Sequence, residues 1–509
     1  MNRRRFLSAN PPRAGESPTP HSGRPSVRAT PAQPLPYAGG LTPYVPSSEQ
    51  AWHVRQAQHL LRRAGYAVCM EQVSQLLDST PQEAVARLVD TAATAPFPPR
   101  PTWYDDPTPS VRRDRDTLVD IGQQSIHEAL EMRAPGTALR ERLTLLLGNI
   151  LAARRHTVPH NSAIVIRYAE RLRMHALGNY RQLVTEIGRD DVRMLTFLDG
   201  QSNAVGAPNE NYARELLELF TMGPVGPDGA SNYTETDIQE LARALTGWSY
   251  RIDKDAIETF FVPDRHDREA KTIFGRRGAW TYEDALRILF EERSDAIAHF
   301  VSRRLYQEFV YDVPNEQVVS ELAAVLLAHD FEIAPAVRRL LQSSHFFNEQ
   351  AFGVKIRSPF DLFVGFLGSR MSRARLPSRT QRLFTNIEVL HPIFNPPDVS
   401  GWPGFTTWVD TSTHVLRLAT LDLLSSWNAQ DYRLLGLSMP DPSDPVALTR
   451  DLAGLFVAVP LDPATLAEAT EVLLGGTQAY MWDMDLEESA LHIRELVRYF
   501  TTLPAINLH

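Results

Sequence analysis

The stretch "SSEQAWHVRQAQHLLRRAG", residues 47–65, decides the fold class. Val54, Ala57, Leu61 and Ala64 recur every three or four positions, the period at which side chains share one face of an α-helix. Ser47 and Gln50 stand at the spacing of a capping box ahead of that pattern, and Gly65 closes it. The same grammar follows in "TPQEAVARLVDTA", where Thr80 is the cap, Pro81 lies in the first turn and Glu83 comes three after the cap.

Outward from there, helical patterns run at 110–133, 136–156, 161–177, 179–188, 209–222 and 234–246, the last capped by Thr234 and Asp237. They resume at 281–292, 295–309, 315–329, 333–343, 357–370, 380–390, 412–428, 446–457, 463–473 and 485–500. The pattern predicts an all-α protein, one large multi-helix domain over 47–509. Two segments break the period. "WSYRIDKDAIETFFVPDRHDREAKTIFG", 248–275, predicts a small β-hairpin excursion near 250–275. "HPIFNPPDVSGWPGFTTWVD", 391–410, carries four prolines, two glycines and two tryptophans, and loops this long in a compact domain line a site or clamp elements together. No repeat of 20–50 residues is present, which argues against a solenoid.

Formal net charge is −9 with a pI near 5.9, a balance that argues against nonspecific nucleic-acid binding. Of 52 basic residues only Lys254, Lys271 and Lys355 are lysines. The planar fork of arginine suits bidentate carboxylate pairing, so internal ion pairs are expected. Cys69 is the only cysteine; it rules out an intrachain disulfide and a cysteine-cluster metal site, and in "YAVCM" it reads as packing. No apolar run reaches the ~18–20 residues a membrane span needs.

"MNRRRFLS" looks like the opening of a twin-arginine export signal, yet the apolar stretch that should follow is missing. Residues 1–46 hold ten of the 37 prolines and six arginines against one acid, Glu16, the composition of a disordered basic tail. The two observations point to different compartments: cytoplasmic with the N-terminus as written, periplasmic or envelope-associated if the export-like start is used.

Candidate chemistry concentrates in "APNENYARELLELFTMG", 207–223. On a helix Asn211, Glu215 and Glu218 share a stripe, Glu210 and Arg214 form an i,i+4 pair, and Leu216, Leu217, Leu219 and Phe220 form the apolar side. Asn209 at the first turn suits a cap or an orienting partner for a carboxylate. Glu210, Glu215, Glu218 and Asp237, with His175 and the segment bearing His266, Asp267 and Lys271, are expected to converge on one polar pocket, because ionisable groups among Leu and Phe need mutual partners. Arg214 and Arg243 supply the counter-charges. Asp237 also fits a capping acid, and His175 a satisfied core histidine. Trp402 and Trp408 read either as a ligand-facing loop or as a staple. The phosphate loop, HExxH, GxSxG and GxGxxG signatures are all absent, and no cofactor follows from the sequence.

"HLLRRAGY", "RMHALGNYRQL", "MLTFLDG", "PNENYARELLELFTMG", "YTETDIQELARALTGW", "HDREAKTIFG", "KIRSPFDL" and "PPDVSGWPGFTTWVD" resemble, in order, the blocks of the domain of unknown function 1800 family, an uncharacterised bacterial family. The resemblance implies a largely helical protein, frequent export of members, and a partner among products of neighbouring genes of a sulfatase-like family. It also implies that Asn209, Glu210, Asn211, Arg214, Glu215 and Glu218 form a structured polar site. The chain departs from the family where a Trp-His-Asn-His-Phe block is typical: Leu147, Gly148, Asn149, Ile150 and Leu151 stand there. If the two imidazoles bind metal, Gly148→His with Ile150→His should raise metal retention. The function expected is a binding or structural component of an envelope- or secretion-linked system; the alternative is a metal-dependent hydrolase using the Asn-Glu-Asn helix and His266.

Overall fold

Helix starts follow the local hydrogen-bond chemistry. Thr80 Oγ1 accepts from Glu83 N while the Glu83 carboxylate accepts from Thr80 N at 2.9 Å, and the same reciprocal box opens Glu235–Ala244 through Thr234 and Asp237 and Tyr282–Glu292 through Thr281 and Asp284. The computed structural model describes residues 32–98, 100, 135–154, 162–252, 257–370, 386–387, 389–426 and 429–509. The pattern at 110–133, and that at 380–390 up to residue 385, lie outside them.

Among the described residues the protein is all-α apart from two small sheets. Pro135–Ile150 packs on Pro81–Thr94, Ser294–Phe309 on Glu316–Ala328, and Ala429–Leu437 and Pro463–Leu474 on Ser489–Thr502. Their inward faces join one apolar cluster that reaches from Leu41 to Ile506. Among the described residues no helix is long and apolar enough to cross a membrane.

Three local expectations are corrected, and a fourth is filled in. The first helix spans Val54–Ala64 and His53 occupies its N-cap; Ser47 and Gln50 instead close a separate turn, with Gln50 N donating to Ser47 Oγ at 3.1 Å. The helix from 209 to 222 is α only over Asn211–Glu215 and becomes a π-helix over Leu216–Thr221. Leu217 O there accepts from both Met222 N and Gly223 N, and Gly223 ends the turn at φ 74°. The β excursion expected near 250–275 is present and holds two hairpins: β1 (Trp248–Ile252) pairs antiparallel with β2 (Ile257–Phe261), and β3 (Lys271–Ile273) with β4 (Arg276–Gly278). Phe274 and Gly275 turn the second at φ 46° and 83°, a tight primed turn. Finally, the tail reading does not hold from Leu35 onward. Leu41 and Tyr44 are buried, Leu41 N donates to Glu321 at 2.8 Å, and Tyr44 N donates to Gln342 O at 2.8 Å. Composition averaged over 46 residues hid the short apolar strap at its end.

Candidate functional site

Some of the residues read from the sequence as one pocket lie in three networks. Arg214 pairs with Glu210 at 3.2 Å, with Glu218 at 3.7 Å and with Glu235. Arg243 binds Asp267 at 2.7 Å and Glu240 at 2.8 Å, and fully buried Lys271 sits 3.9 Å from Asp267. His175 Nε2 meets Glu186 at 2.9 Å. Arg214 and Arg243 are the counter-charges, and the helix Glu235–Ala244, which carries Glu235, Asp237, Glu240 and Arg243, links the first two networks.

Several of these side chains have evident structural work. Asn209 Oδ1 accepts from Asn211 N at 2.9 Å and its amide donates to Ser202 Oγ at 3.0 Å, while Asn211 itself is exposed. Asp237 completes its capping box and accepts from Phe274 N at 3.0 Å, tying the β3–β4 hairpin to the helix. His266 Nδ1 is 3.0 Å from Thr246 O. Burial opposes the charge of Asp267, but Arg243, the Glu269 amide and Lys271 together outweigh it and hold the carboxyl below its usual range. Burial likewise lowers the Lys271 ammonium, and burial with the charge of Glu218 raises the Glu215 carboxyl.

A different place gathers chemistry around a cavity of about 340 Å³. Its walls come from five distant segments: Tyr66 after the first helix; Arg142, Asn149 and Ile150 of Pro135–Ile150; Arg304, Glu308 and Asp312 at the end of Ser294–Phe309; Lys355 and Asp361; and His391, Trp402, Phe405 and Trp408 of the proline-rich loop. The two tryptophans of the expected ligand-facing loop therefore do line a cavity. Arg142, 2% exposed at the side chain, donates to Glu308 at 2.6 Å and to Asp361 at 2.7 Å, and its guanidinium lies 4.6 Å from the Tyr66 ring centroid. Asp361 also caps Pro359–Arg370, accepting from Ser358 Oγ at 2.7 Å. Lys355 Nζ reaches Asp312 Oδ1 at 3.3 Å and Gln307 O at 2.8 Å.

The aromatic wall is held from behind. Asn149 Oδ1 accepts from Trp402 N at 2.6 Å, and its amide donates to Trp402 O at 3.3 Å. Buried Arg417 approaches Trp408 O at 3.5 Å, and Thr413 Oγ1 donates to the same oxygen at 3.3 Å. Phe394 and Phe405 both sit at φ 51°, a left-handed backbone that costs a side-chain-bearing residue about 1–2 kcal/mol and persists only when its surroundings impose it. The His391 ring centroid is 4.6 Å from Trp408 and 5.3 Å from Trp402, and the indoles are 5.4 Å apart.

Three polar atoms on lining residues are shut off from solvent and have no hydrogen-bond partner among the described residues: Tyr66 Oη, Asp312 Oδ2 and His391 Nδ1. Such buried atoms are few in native proteins and each asks for an explanation. Burial pushes the His391 imidazole down to about 4, against the opposing pull of Asp361, so the ring is neutral near pH 7. Among the described residues, no three His, Cys, Asp or Glu side chains are gathered as a metal-ligand group.

The side chains at positions 148 and 150 would take different directions. Ile150 lines the cavity, whereas a Cβ on Gly148 would lie 2.8 Å from the Phe394 ring and 3.2 Å from Leu172. Helix positions two apart point about 200° from each other, so imidazoles at both would not share one metal through the cavity.

Sequence reading quoted the proline-rich loop but passed over His391 inside it. Tyr66, Arg142, Glu308, Asp312, Lys355 and Asp361 each arrive singly, so no local motif announces them; the Ser358–Asp361 capping pair in "RSPFDL" was the one visible signal. No curated protein and no solved structure matches the chain. A family model described as Protein of unknown function (DUF1800) matches residues 59–504, which include every residue named in the cavity wall, and the chain belongs to that family.

Proposed function

We propose that the protein is a binding component that holds a small polar molecule in the cavity behind Trp402 and Trp408. The observation that supports this most is the cavity itself, a wall assembled from distant segments in which two indoles stand beside the charged side chains of Arg142, Arg304, Glu308, Asp312, Lys355 and Asp361. A volume of about 340 Å³ stands at the low end of the ~300–1,000 Å³ of small-molecule sites. An envelope- or secretion-linked setting, with a sulfatase-like neighbour as partner, draws its support from the family resemblance. A thermal-shift screen of small polar metabolites tests the reading. Stabilising compounds should lose their effect in Trp408→Ala, and stabilisation that persists there, or a screen with no stabiliser, counts against it.

The metal-dependent hydrolase built on the Asn-Glu-Asn helix is the second reading, and the raised carboxyl of Glu215 beside Glu218 favours it. It requires a full equivalent of tightly bound metal that Glu215→Ala removes. The binding reading expects substoichiometric metal on purification and no thermal stabilisation by added Zn²⁺, Mn²⁺ or Fe²⁺; elemental analysis decides between them.

A further inference from the structure

Summed over the cavity wall the charges cancel, Arg142, Arg304 and Lys355 against Glu308, Asp312 and Asp361, but they are not shared evenly. Arg142 is held between Glu308 and Asp361, and Lys355 between Asp312 and the carbonyl of Gln307. Arg304 is left over. It stands one turn before Glu308 on Ser294–Phe309, and that acid is taken by Arg142. Among the described residues no carboxylate lies at ion-pair distance from Arg304; its guanidinium sits 5.2 Å from the Phe300 ring centroid, and burial lowers its pKa against the pull of the Tyr180 phenol, with Arg303 adding to the fall. A guanidinium keeps its proton even so, and a half-buried cation without a counter-ion is poorly compensated.

What would complete it carries one negative charge. A phosphate monoester brings about −1.5 to −2 at neutral pH, and with one uncommitted cation to meet it the excess would face the acids of the wall. A carboxylate brings a single charge and two coplanar oxygens that match the guanidinium fork. On the same cavity Trp402 and Trp408 are each half-buried, so part of their indole surface is open, and such surface packs against flat apolar rings. Resting on the binding reading above, we infer that the cavity takes a small aromatic monocarboxylate, its carboxylate paired with Arg304 and its ring against the indoles of Trp402 and Trp408. A volume of about 340 Å³ suits a molecule of one or two rings.

Isothermal titration calorimetry of the full chain with benzoate, phenylacetate and indole-3-acetate tests this. Benzamide serves as the uncharged ring, acetate as the charge without a ring, phenyl phosphate as the more highly charged anion and benzylamine as the cation. At least one aromatic carboxylate should bind saturably, about tenfold or more tighter than benzamide or acetate, and weaken by about tenfold or more in Arg304→Met and in Trp408→Ala. Arg304→Gln keeps the test valid if Arg304→Met does not fold. Phenyl phosphate binding more tightly than every carboxylate, or benzylamine binding alone, overturns the monocarboxylate and leaves the binding cavity standing where that binding is lost in Trp408→Ala. Benzamide binding as tightly as benzoate removes the charge from recognition, acetate binding as tightly removes the ring, and carboxylate binding unchanged in both Arg304 variants puts the ligand elsewhere; each overturns the inference. No heat from any probe overturns it as well, and the thermal-shift screen then judges the binding reading by itself: a stabiliser lost in Trp408→Ala keeps that reading, and a screen without one removes both.

Discussion

Single residues set sharp expectations at the cavity. Gly148 and Ile150 are two positions apart but face Phe394 and the cavity respectively. Gly148→His forces a side chain into a filled space, which costs about 1–3 kcal/mol, while Ile150→His should destabilise less; urea denaturation of both variants checks the order, and the reverse order would show that the helix is rotated. Two imidazoles set an acid limit. Burial pushes His345 and His391 each down to about 4, whereas in the unfolded chain they bind protons near pH ~6.5. Between those values the unfolded state takes up protons that the native state refuses, so this contribution is full above pH ~6.5 and is lost as pH falls toward ~4, on the order of 2–3 kcal/mol per imidazole. Denaturation midpoints measured from pH 7.5 to 4.5 should decline, and His391→Asn should make the decline shallower. A variant that tracks the wild type over that range would show that His391 titrates normally when folded.

Elements with complete local signals were legible, and those shaped by tertiary contacts were not. Thr80, Thr234 and Asp237 announced their helices because a capping box needs only residues three apart. Met70–Leu77, Val192–Phe197 and Ala429–Leu437 went unseen, since fewer than three turns give the helical period too little length to register. The π turn at Leu216–Thr221 has the composition of an α-helix, and hydrogen bonds to Leu217 O, with the left-handed Gly223, reset it. The cavity was legible only through its proline-rich loop; the charged residues paired in its wall lie 43 to 219 positions apart, a distance no periodicity spans. Asp237 joins two elements, so Asp237→Ala removes a helix cap and the bond from Phe274 N. About 1–2 kcal/mol should be lost in denaturant titrations, with faster amide exchange in the hairpin Lys271–Gly278. Exchange that accelerates in the helix alone would mean the hairpin is held by other contacts.

At the scale of the whole molecule, burial rather than the number of ion pairs decides what each is worth. Removing Arg142, buried between Glu308 and Asp361, leaves carboxylates without compensation, so Arg142→Met should cost roughly 3–5 kcal/mol. Arg214 pairs with three acids but is 35% exposed at the side chain, and Arg214→Met should cost no more than about 1 kcal/mol. Equal losses in parallel denaturation curves would refute this contrast. The strap at Leu35–Tyr44 has a consequence for biosynthesis. Thr42 meets Ser344 across 302 residues of chain, and at ~5–20 residues per second a ribosome needs on the order of 15–60 s to make that stretch. Throughout that interval Leu41 and Tyr44 have been made and their seat has not, so a nascent chain carries these apolar side chains bare, within reach of a chaperone, until the fold closes.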